Sequence, residues 1–287
     1  MKRRTVLIAW ALALPLAAAE ARDPMSVGDA AWARRAQGAS AGWAAAEPIA
    51  EAVAAYQEAV RQDPERLEGY WKLLRAIYFQ GDMATRGEEA KKEVFALGRD
   101  VGEKALDLLA TRVGGRKKMD AMSPDQVAAA LGDVPEAAAI FFWSAVDWGL
   151  WGDAFGRMAA ARQGVAGRVR DYSLVVVALD EGYERAGAHR VLGRLHFLAP
   201  RIPFVTGWVS RDTAVSELER ACELGPEEPL NGLYLAEALV EHRPRERDRA
   251  LGILRDLVAR APDPERAVEW ARAQSEARAL LARLEAR

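Results

Sequence analysis

Residues 214–226 read AVSELERACELGP, in which Ala214 is followed by Leu218 four residues later, Ala221 three further and Pro226 five beyond that. Nearly the same spacing returns in ALGILRDLVARAP over 250–262 and in AVAAYQEAVRQDP over 52–64. Residues three and four apart share one face of an α-helix, so each stretch predicts a helix with one apolar stripe that ends before a proline. A stripe repeated at fixed spacing predicts helices that stack on one another to bury it.

This spacing matches the second helix of a tetratricopeptide repeat. Two other segments fill the first-helix positions of the same repeat: Trp71, Leu74, Arg75 and Tyr78, and then His189, Leu192, Gly193 and His196. At the third of these positions a small residue lets two helices approach closely, which Gly193 provides and Arg75 does not. We therefore expect a repeat architecture in which the copy around Arg75 is degenerate.

Helical periodicity covers nearly all of the chain from Ala30 onward, and it includes the β-branched run Val175–Val177. Asp63-Pro64, Ser123-Pro124 and Asp263-Pro264 each predict a helix N-terminus, because an oxygen-bearing cap precedes a first-turn proline. The expected fold is an all-α, tetratricopeptide-like helical-repeat solenoid that forms a single domain over 22–287. A charged amphipathic helix from Glu265 to Arg287 is expected to cover its end with a polar outer face.

Composition limits the functions that the chain can perform. The 287 residues are 51% hydrophobic, which is enough to bury a sizeable core, and their formal net charge of -2 gives no general attraction for nucleic acid. One cysteine, Cys222, excludes an intramolecular disulfide and a cysteine zinc site, and three histidines offer few metal ligands. No nucleophile elbow, phosphate loop or dinucleotide glycine motif is present. We expect a non-enzymatic protein without a metal or cofactor and without a nucleic-acid partner.

The N-terminus has the organisation of an export signal. Lys2-Arg3-Arg4 precedes an apolar run from Thr5 to Ala19, and small residues at Ala19 and Ala21 predict cleavage after Ala21. The run is short for a membrane span, although an uncleaved anchor stays an alternative. Both general secretion and the twin-arginine route remain open. We therefore expect a signal peptide over 1–21. Because no cysteine lies near the cleavage site for lipid attachment, we expect a periplasmic protein.

Aromatic residues are densest between Ile140 and Trp151. On a helix they occupy more than one face, so this helix is either buried by neighbours on all sides or lines a ligand pocket. In the second interpretation Trp143 and Trp148 line the pocket and Asp147 supplies a polar anchor. Both interpretations remain open from the sequence.

Three further features are candidates for ligand contact. An apolar loop around Phe204 and Trp208 is inserted into a repeat, where it either plugs the concave face or touches a ligand or partner. His189 and His196 occupy positions that hold large packing residues, so they serve packing or a polar ligand contact rather than a metal. Asn231 either bridges neighbouring repeats or binds.

The run Gly187–His196, with 199–212, 231–239 and the aromatic segment 141–151, resembles the TRAP transporter T-component (TatT-like) family over about residues 45–260. The resemblance implies a periplasmic helical-repeat accessory protein with an apolar cavity or pore. Such a protein binds the solute-binding protein of a tripartite ATP-independent (TRAP) transporter and takes a small apolar ligand, and it is compatible with a homo-oligomer. The alternative is a general periplasmic tetratricopeptide scaffold that docks envelope-protein peptides or helices. The predicted ligand-binding residues are Trp143, Asp147, Trp148, Phe204, Trp208, His189, His196 and Asn231.

Overall fold

A computed structural model describes residues 23–286, and within that range the protein consists of α-helices joined by short connections. It contains no β-strand there, only a single bridge between Ser40 and Trp43. The all-α prediction is confirmed, and Val175–Val177 lies inside a helix as expected. The predicted export signal over 1–21 lies outside the described residues.

The described part of the chain has fourteen α-helices in sequence order. Their bounds are α1 (Pro24–Ala33), α2 (Ala46–Gln62), α3 (Leu67–Phe79), α4 (Glu88–Thr111), α5 (Arg116–Asp120), α6 (Pro124–Leu131), α7 (Ala137–Phe155), α8 (Arg157–Arg162), α9 (Val165–Leu179), α10 (Tyr183–Leu198), α11 (Arg211–Leu224), α12 (Pro229–His242), α13 (Arg247–Ala259) and α14 (Ala267–Glu285). A π-helical turn, Gln80–Ala84, extends α3, and 3₁₀ turns Pro244–Glu246 and Pro264–Arg266 precede α13 and α14. Among the helices of residues 23–286, none combines the length and the apolar character that crossing a membrane requires.

The predicted helix starts differ in outcome. Ser123 forms a capping box, because its hydroxyl accepts from the Gln126 backbone N–H at 3.3 Å and its own N–H donates to the Gln126 side chain at 2.9 Å. Asp263 caps the 3₁₀ turn that leads into α14. The prediction for Asp63 is wrong, because its N–H donates to Ala59 O at 3.0 Å and so prolongs the last turn of α2. Asp63 thus ends α2, and α3 begins after a turn.

Two levels of packing organise the helices. Each long helix packs against its neighbours in the chain, and a second set of contacts joins α3 to α7, α7 to α10, α10 to α12 and α12 to α14. These five helices therefore form a continuous row, with α4, α9, α11 and α13 packed against it. The buried hydrophobic side chains form two clusters, one over α1 to α10 that includes Val268 of α14, and one over α11 to α14.

The two ends of the described chain are in contact. Arg35, after α1, pairs with Glu269 of α14 at 3.4 Å. Arg272 of α14 stacks on Trp43 at 4.6 Å and lies 3.9 Å from the carboxylate of Asp82. The helical row is therefore closed. Helix α14 is amphipathic as expected, with an apolar buried face and an outer face that exposes Glu276, Arg278 and Arg283, and it also contacts the segment after α1.

The residues at the repeated positions are buried where the spacing predicts contacts. All nine second-helix residues are at most 8% exposed: Ala52, Tyr56, Ala59, Ala214, Leu218, Ala221, Ala250, Leu254 and Leu257. A Cβ placed on Gly193 would lie 2.5 Å from Leu218 Cγ, so glycine at that position lets α10 approach α11. Gly28 has the same relation to Tyr56, at 2.4 Å, between α1 and α2. The sequence analysis missed this second close approach.

Candidate binding face

Helix α7 carries three of the predicted ligand residues, and all three are buried. Trp143 is 6% exposed, Asp147 0% and Trp148 3%. Helices α3, α4 and α9 pack around α7, which is the arrangement that the buried-helix interpretation describes. These residues belong to the interior packing of the protein.

Asp147 is a carboxyl group enclosed by the core. Neither of its side-chain oxygens has a hydrogen-bond partner, and its carboxyl carbon lies 2.8 Å from where a Cβ on Gly98 would be, which is possible only with glycine there. Burial raises the pKa of Asp147 well above its ordinary value, since the charged form loses its hydration. This shift favours the neutral form of Asp147, which offers no charge to a ligand.

The two tryptophans of α7 that were predicted to bind a ligand differ in their polar contacts. Trp148 Nε1 donates to Glu103 at 2.8 Å, and the Arg168 guanidinium lies 5.0 Å from its ring. Trp143 packs on Phe142 at 4.8 Å and on Tyr78 at 5.3 Å. Since Tyr78 is half-buried, Trp143 connects the packing of α7 to an accessible side chain of α3.

The inserted loop separates its two aromatic residues. Phe204 is fully exposed and has a φ of +65°, a left-handed conformation that a bulky residue seldom adopts. Trp208 is half-buried, packs edge-on against His196 at 5.3 Å and lies under the Arg170 guanidinium at 4.6 Å. His196 accepts a hydrogen bond from the Ser210 N–H at 3.0 Å, and burial lowers its pKa, so it is neutral.

His189 lies between two carboxylates. Its Nδ1 is 2.6 Å from Glu217 and its Nε2 is 3.1 Å from Glu181, which also pairs with Arg220 at 2.9 Å. Burial lowers the pKa of His189, but the two carboxylates outweigh it, so the pKa is raised above its ordinary value. No three potential ligands within 23–286 are arranged to hold a metal ion. The charged contacts of His189 join α10 to α11 and to the turn before it.

Asn231 bridges three segments of backbone. Its amide donates to the carbonyls of Arg185 at 3.1 Å, Ala221 at 2.8 Å and Gly225 at 2.9 Å, and its oxygen accepts from Arg190 at 2.9 Å. Arg185 and its two neighbours have φ values of 48°, 56° and 60°, a left-handed turn that costs about 1–2 kcal/mol per residue. Asn231 therefore holds a strained turn against the end of α11.

A set of half-buried aromatic and arginine side chains, which we name the inner cluster, connects several helices of the row. Its members are Trp32, Trp71, Arg75, Tyr78, Tyr183, Arg190 and Tyr234. Phe142 links Trp143 to Tyr183 at 5.5 Å, and the Arg190 charge acts on both Tyr78 and Tyr234. Surrounding protein raises the pKa of Tyr234 to about 12 and that of Tyr78 well above its ordinary value. These side chains are enclosed by the fold yet remain accessible.

Arg75 is the least compensated charge of the inner cluster. Its guanidinium lies 4.1 Å from the Trp32 ring and 5.0 Å from the Trp71 ring, and its buried Nε has no hydrogen-bond partner. No carboxylate of residues 23–286 is within ion-pair distance of it. Removing a cation from water costs several kcal/mol, and a cation–π contact returns about 0.5–2 kcal/mol. The imbalance lowers the pKa of Arg75, chiefly through burial.

Sequence reasoning identified Trp71, Arg75 and Tyr78 only as repeat positions. The signal that it missed was the arginine itself: a charged residue at a position that favours glycine indicates a site with another use. Trp32, Tyr183, Arg190 and Tyr234 had no local signal, because packing between different helices brings them near α3.

Two shallow clefts lie elsewhere on the described surface. One of about 310 Å³ lies between α11, α12 and α13 and includes Cys222, Asn231 and Arg249 in its lining. The other, of about 380 Å³, lies beside the start of α2 and is lined by Arg34, Glu47 and Glu51. Of the eight predicted ligand residues, Asn231 alone borders either cleft.

The sequence was also compared with known proteins. No protein-family model matches the chain, and no curated protein matches it.

Proposed function

We propose that this chain is a non-enzymatic, periplasmic helical-repeat protein that serves a TRAP transport system. In this function it binds the solute-binding protein of the transporter and takes a small, partly apolar ligand on the inner cluster. The binding is passive: an aromatic surface removes apolar ligand area from water, at roughly 25 cal/mol per Å², and a few polar groups set the orientation.

The tetratricopeptide-like solenoid is part of this proposal. It is supported by the close approaches at Gly193 and Gly28, which place a small residue of one helix against the same repeat position of the next. It is also supported by the row of α3, α7, α10, α12 and α14, because helices at equivalent positions of successive repeats contact one another in a solenoid.

The inner cluster is the observation that supports ligand binding in the proposed function. Core side chains are normally buried and surface side chains exposed, whereas these large aromatics and arginines are half-buried together on α1, α3, α10 and α12. Such a lining suits a molecule with an apolar body and a polar group. The proposed ligand site thus moves from α7, where the sequence placed it, to the neighbouring face that Trp143 reaches through Tyr78.

The partner is tested by affinity purification from the native host. A tagged full-length chain is expressed at its natural level, cross-linked in the periplasm and purified, and captured proteins are identified by mass spectrometry. We expect a solute-binding protein of a TRAP transporter as the main partner. Recovery of the chain from the cytoplasm, or of no solute-binding protein, contradicts the proposal.

A second candidate function is a general periplasmic scaffold that docks envelope-protein peptides or helices. The loop around Phe204 favours it, since Leu198 is 58% exposed, Phe204 fully exposed and Val205 57% exposed. In the same purification this function predicts an envelope-assembly factor as the main partner, lost when Phe204→Ser is introduced.

A further inference from the structure

Two guanidinium groups lie against one tryptophan at the place where the ends of the described chain meet. Arg35 is 4.5 Å and Arg75 4.1 Å from the centre of the Trp32 ring. Glu269 pairs with Arg35 at 3.4 Å, and the Nε atoms of both arginines are buried without a hydrogen-bond partner. Arg35 thus has a paired carboxylate, whereas Arg75 has none among residues 23–286.

The remaining polar groups near Arg75 do not give its guanidinium an anionic partner. Glu184 acts on Arg75 electrostatically but forms no ion pair with it, and the Tyr56 hydroxyl beside it gives its proton to Asp29 at 2.8 Å. Arg35 adds a like charge, which further disfavours the Arg75 cation. Within residues 23–286, no anionic group is therefore in direct contact with the Arg75 guanidinium.

We propose that Arg75 binds an organic oxyanion whose flat aromatic or apolar body packs against Trp71 and the neighbouring rings of the inner cluster. A guanidinium presents two parallel donors that match a carboxylate, a sulfonate or a phosphate. Trp32 and Trp71 keep the guanidinium oriented by stacking on it. Arg35 attracts the oxyanion at long range, while its own guanidinium stays paired with Glu269 of α14.

This inference rests on the part of the proposed function that gives the inner cluster a small-molecule ligand, and it does not involve the transporter. Because the site lies between α3 and the Arg35 contact with α14, binding stabilises the closed arrangement of the chain. The ligand is therefore expected to protect both ends of the described chain at once.

Calorimetric titration of the purified full-length chain tests the site with indole-3-acetate and indole-3-acetamide, which share a shape and differ in charge. We expect the acid to bind about tenfold more tightly than the amide at low salt. Arg75→Gln should reduce acid affinity to that of the amide. The matched control is Arg86→Gln, which removes an exposed arginine stacked on Trp43 at 4.7 Å and should keep the preference.

The overturning results are equal binding of acid and amide by the unaltered chain, binding of neither, or a preference for the acid that survives Arg75→Gln. Thermal unfolding without ligand distinguishes a ligand-binding role of Arg75 from a purely structural one. The proposal expects an unchanged or higher Tm for Arg75→Gln, because an uncompensated cation is removed, and a Tm lower by about 5 °C or more contradicts it. Acid binding without capture of a solute-binding protein would reject the transporter role alone, and the reverse outcome would reject this site alone.

Discussion

At the residue scale, the least expected feature is a neutral acid in the middle of an aromatic helix. Asp147 was predicted as a polar anchor for a ligand because it lies among tryptophans. The same neighbours enclose it, and enclosure removes the hydration that would keep it charged. A carboxyl group within an aromatic run can therefore serve either as a polar ligand anchor or as a buried neutral acid. Its accessibility to solvent distinguishes the two.

Asp147 makes stability depend on pH in a defined direction. Its pKa is higher in the folded than in the unfolded state, so its contribution is complete below the unfolded value of 3.8 and is lost as pH rises toward the folded pKa. Asp147→Asn keeps the shape and removes this loss. We expect the variant to gain free energy of unfolding, relative to the unaltered chain, as pH increases from 5 to 8 in urea denaturation. Parallel pH profiles would contradict the neutral-acid assignment.

His189 gives a second pH prediction in a different window. Its pKa is raised from 6.5, so its ion pairs stabilise the fold fully below that value and weaken as pH rises through the folded pKa. His189→Gln should therefore lose stability mainly at acidic pH and match the unaltered chain at alkaline pH.

His196 is the control, because its lowered pKa gives the opposite sign. His196→Gln should gain stability, relative to the unaltered chain, as pH falls below about 6.5. Equal slopes for the two variants in thermal unfolding from pH 5 to 8 would refute both assignments.

At the element scale, the close approach of α10 to α11 is the contact on which the repeat interpretation depends most. Gly193→Ala places a methyl group 2.5 Å from Leu218 Cγ and 3.1 Å from the Ala214 carbonyl, so helix backbone must move. We expect a loss of about 1–3 kcal/mol in free energy of unfolding. Urea denaturation monitored by circular dichroism measures it.

Gly252 supplies the matched control. It lies within α13, and a Cβ there would meet nothing within 4 Å. Gly252→Ala should therefore stabilise the protein by about 0.5–1 kcal/mol through helix propensity. If both variants shift stability in the same direction, the close packing of α10 on α11 is not the reason for glycine at 193.

At the scale of the whole molecule, the sequence predicts helices and their repeated contacts but not their closure. Periodicity and the positions around Leu218 and Leu254 depend on residues a few places apart, which one sequence displays. Contacts such as Arg35 with Glu269 join residues more than 230 positions apart, and neither partner carries a local signal. The candidate site also depends on contacts between different helices, such as Arg75 with Trp32 and Tyr78 with Trp143, so the sequence alone predicts only a degenerate repeat position for Arg75.

The contact between the two ends of the described chain can be tested separately. Arg35→Ala combined with Arg272→Ala removes side-chain contacts that join both ends of the described chain, so amide hydrogen exchange should increase over 34–45 and in α14 together. Exchange in α7 should stay unchanged. Arg255→Ala, which removes an exposed pair with Glu285 at 2.7 Å, is the control and should leave 34–45 protected. Unchanged exchange at both ends in the double variant would contradict closure.

The central claim is that the inner cluster, rather than the core of α7 or the Phe204 loop, is where a small molecule meets this protein. Native mass spectrometry of the chain purified from its own host tests it most directly, with Trp71→Ala and Phe204→Ala measured alongside. We predict a non-covalent small-molecule mass on the unaltered chain and on Phe204→Ala that is absent from Trp71→Ala. A bound mass retained equally by all three, lost only from Phe204→Ala, or absent from the unaltered chain would contradict the account.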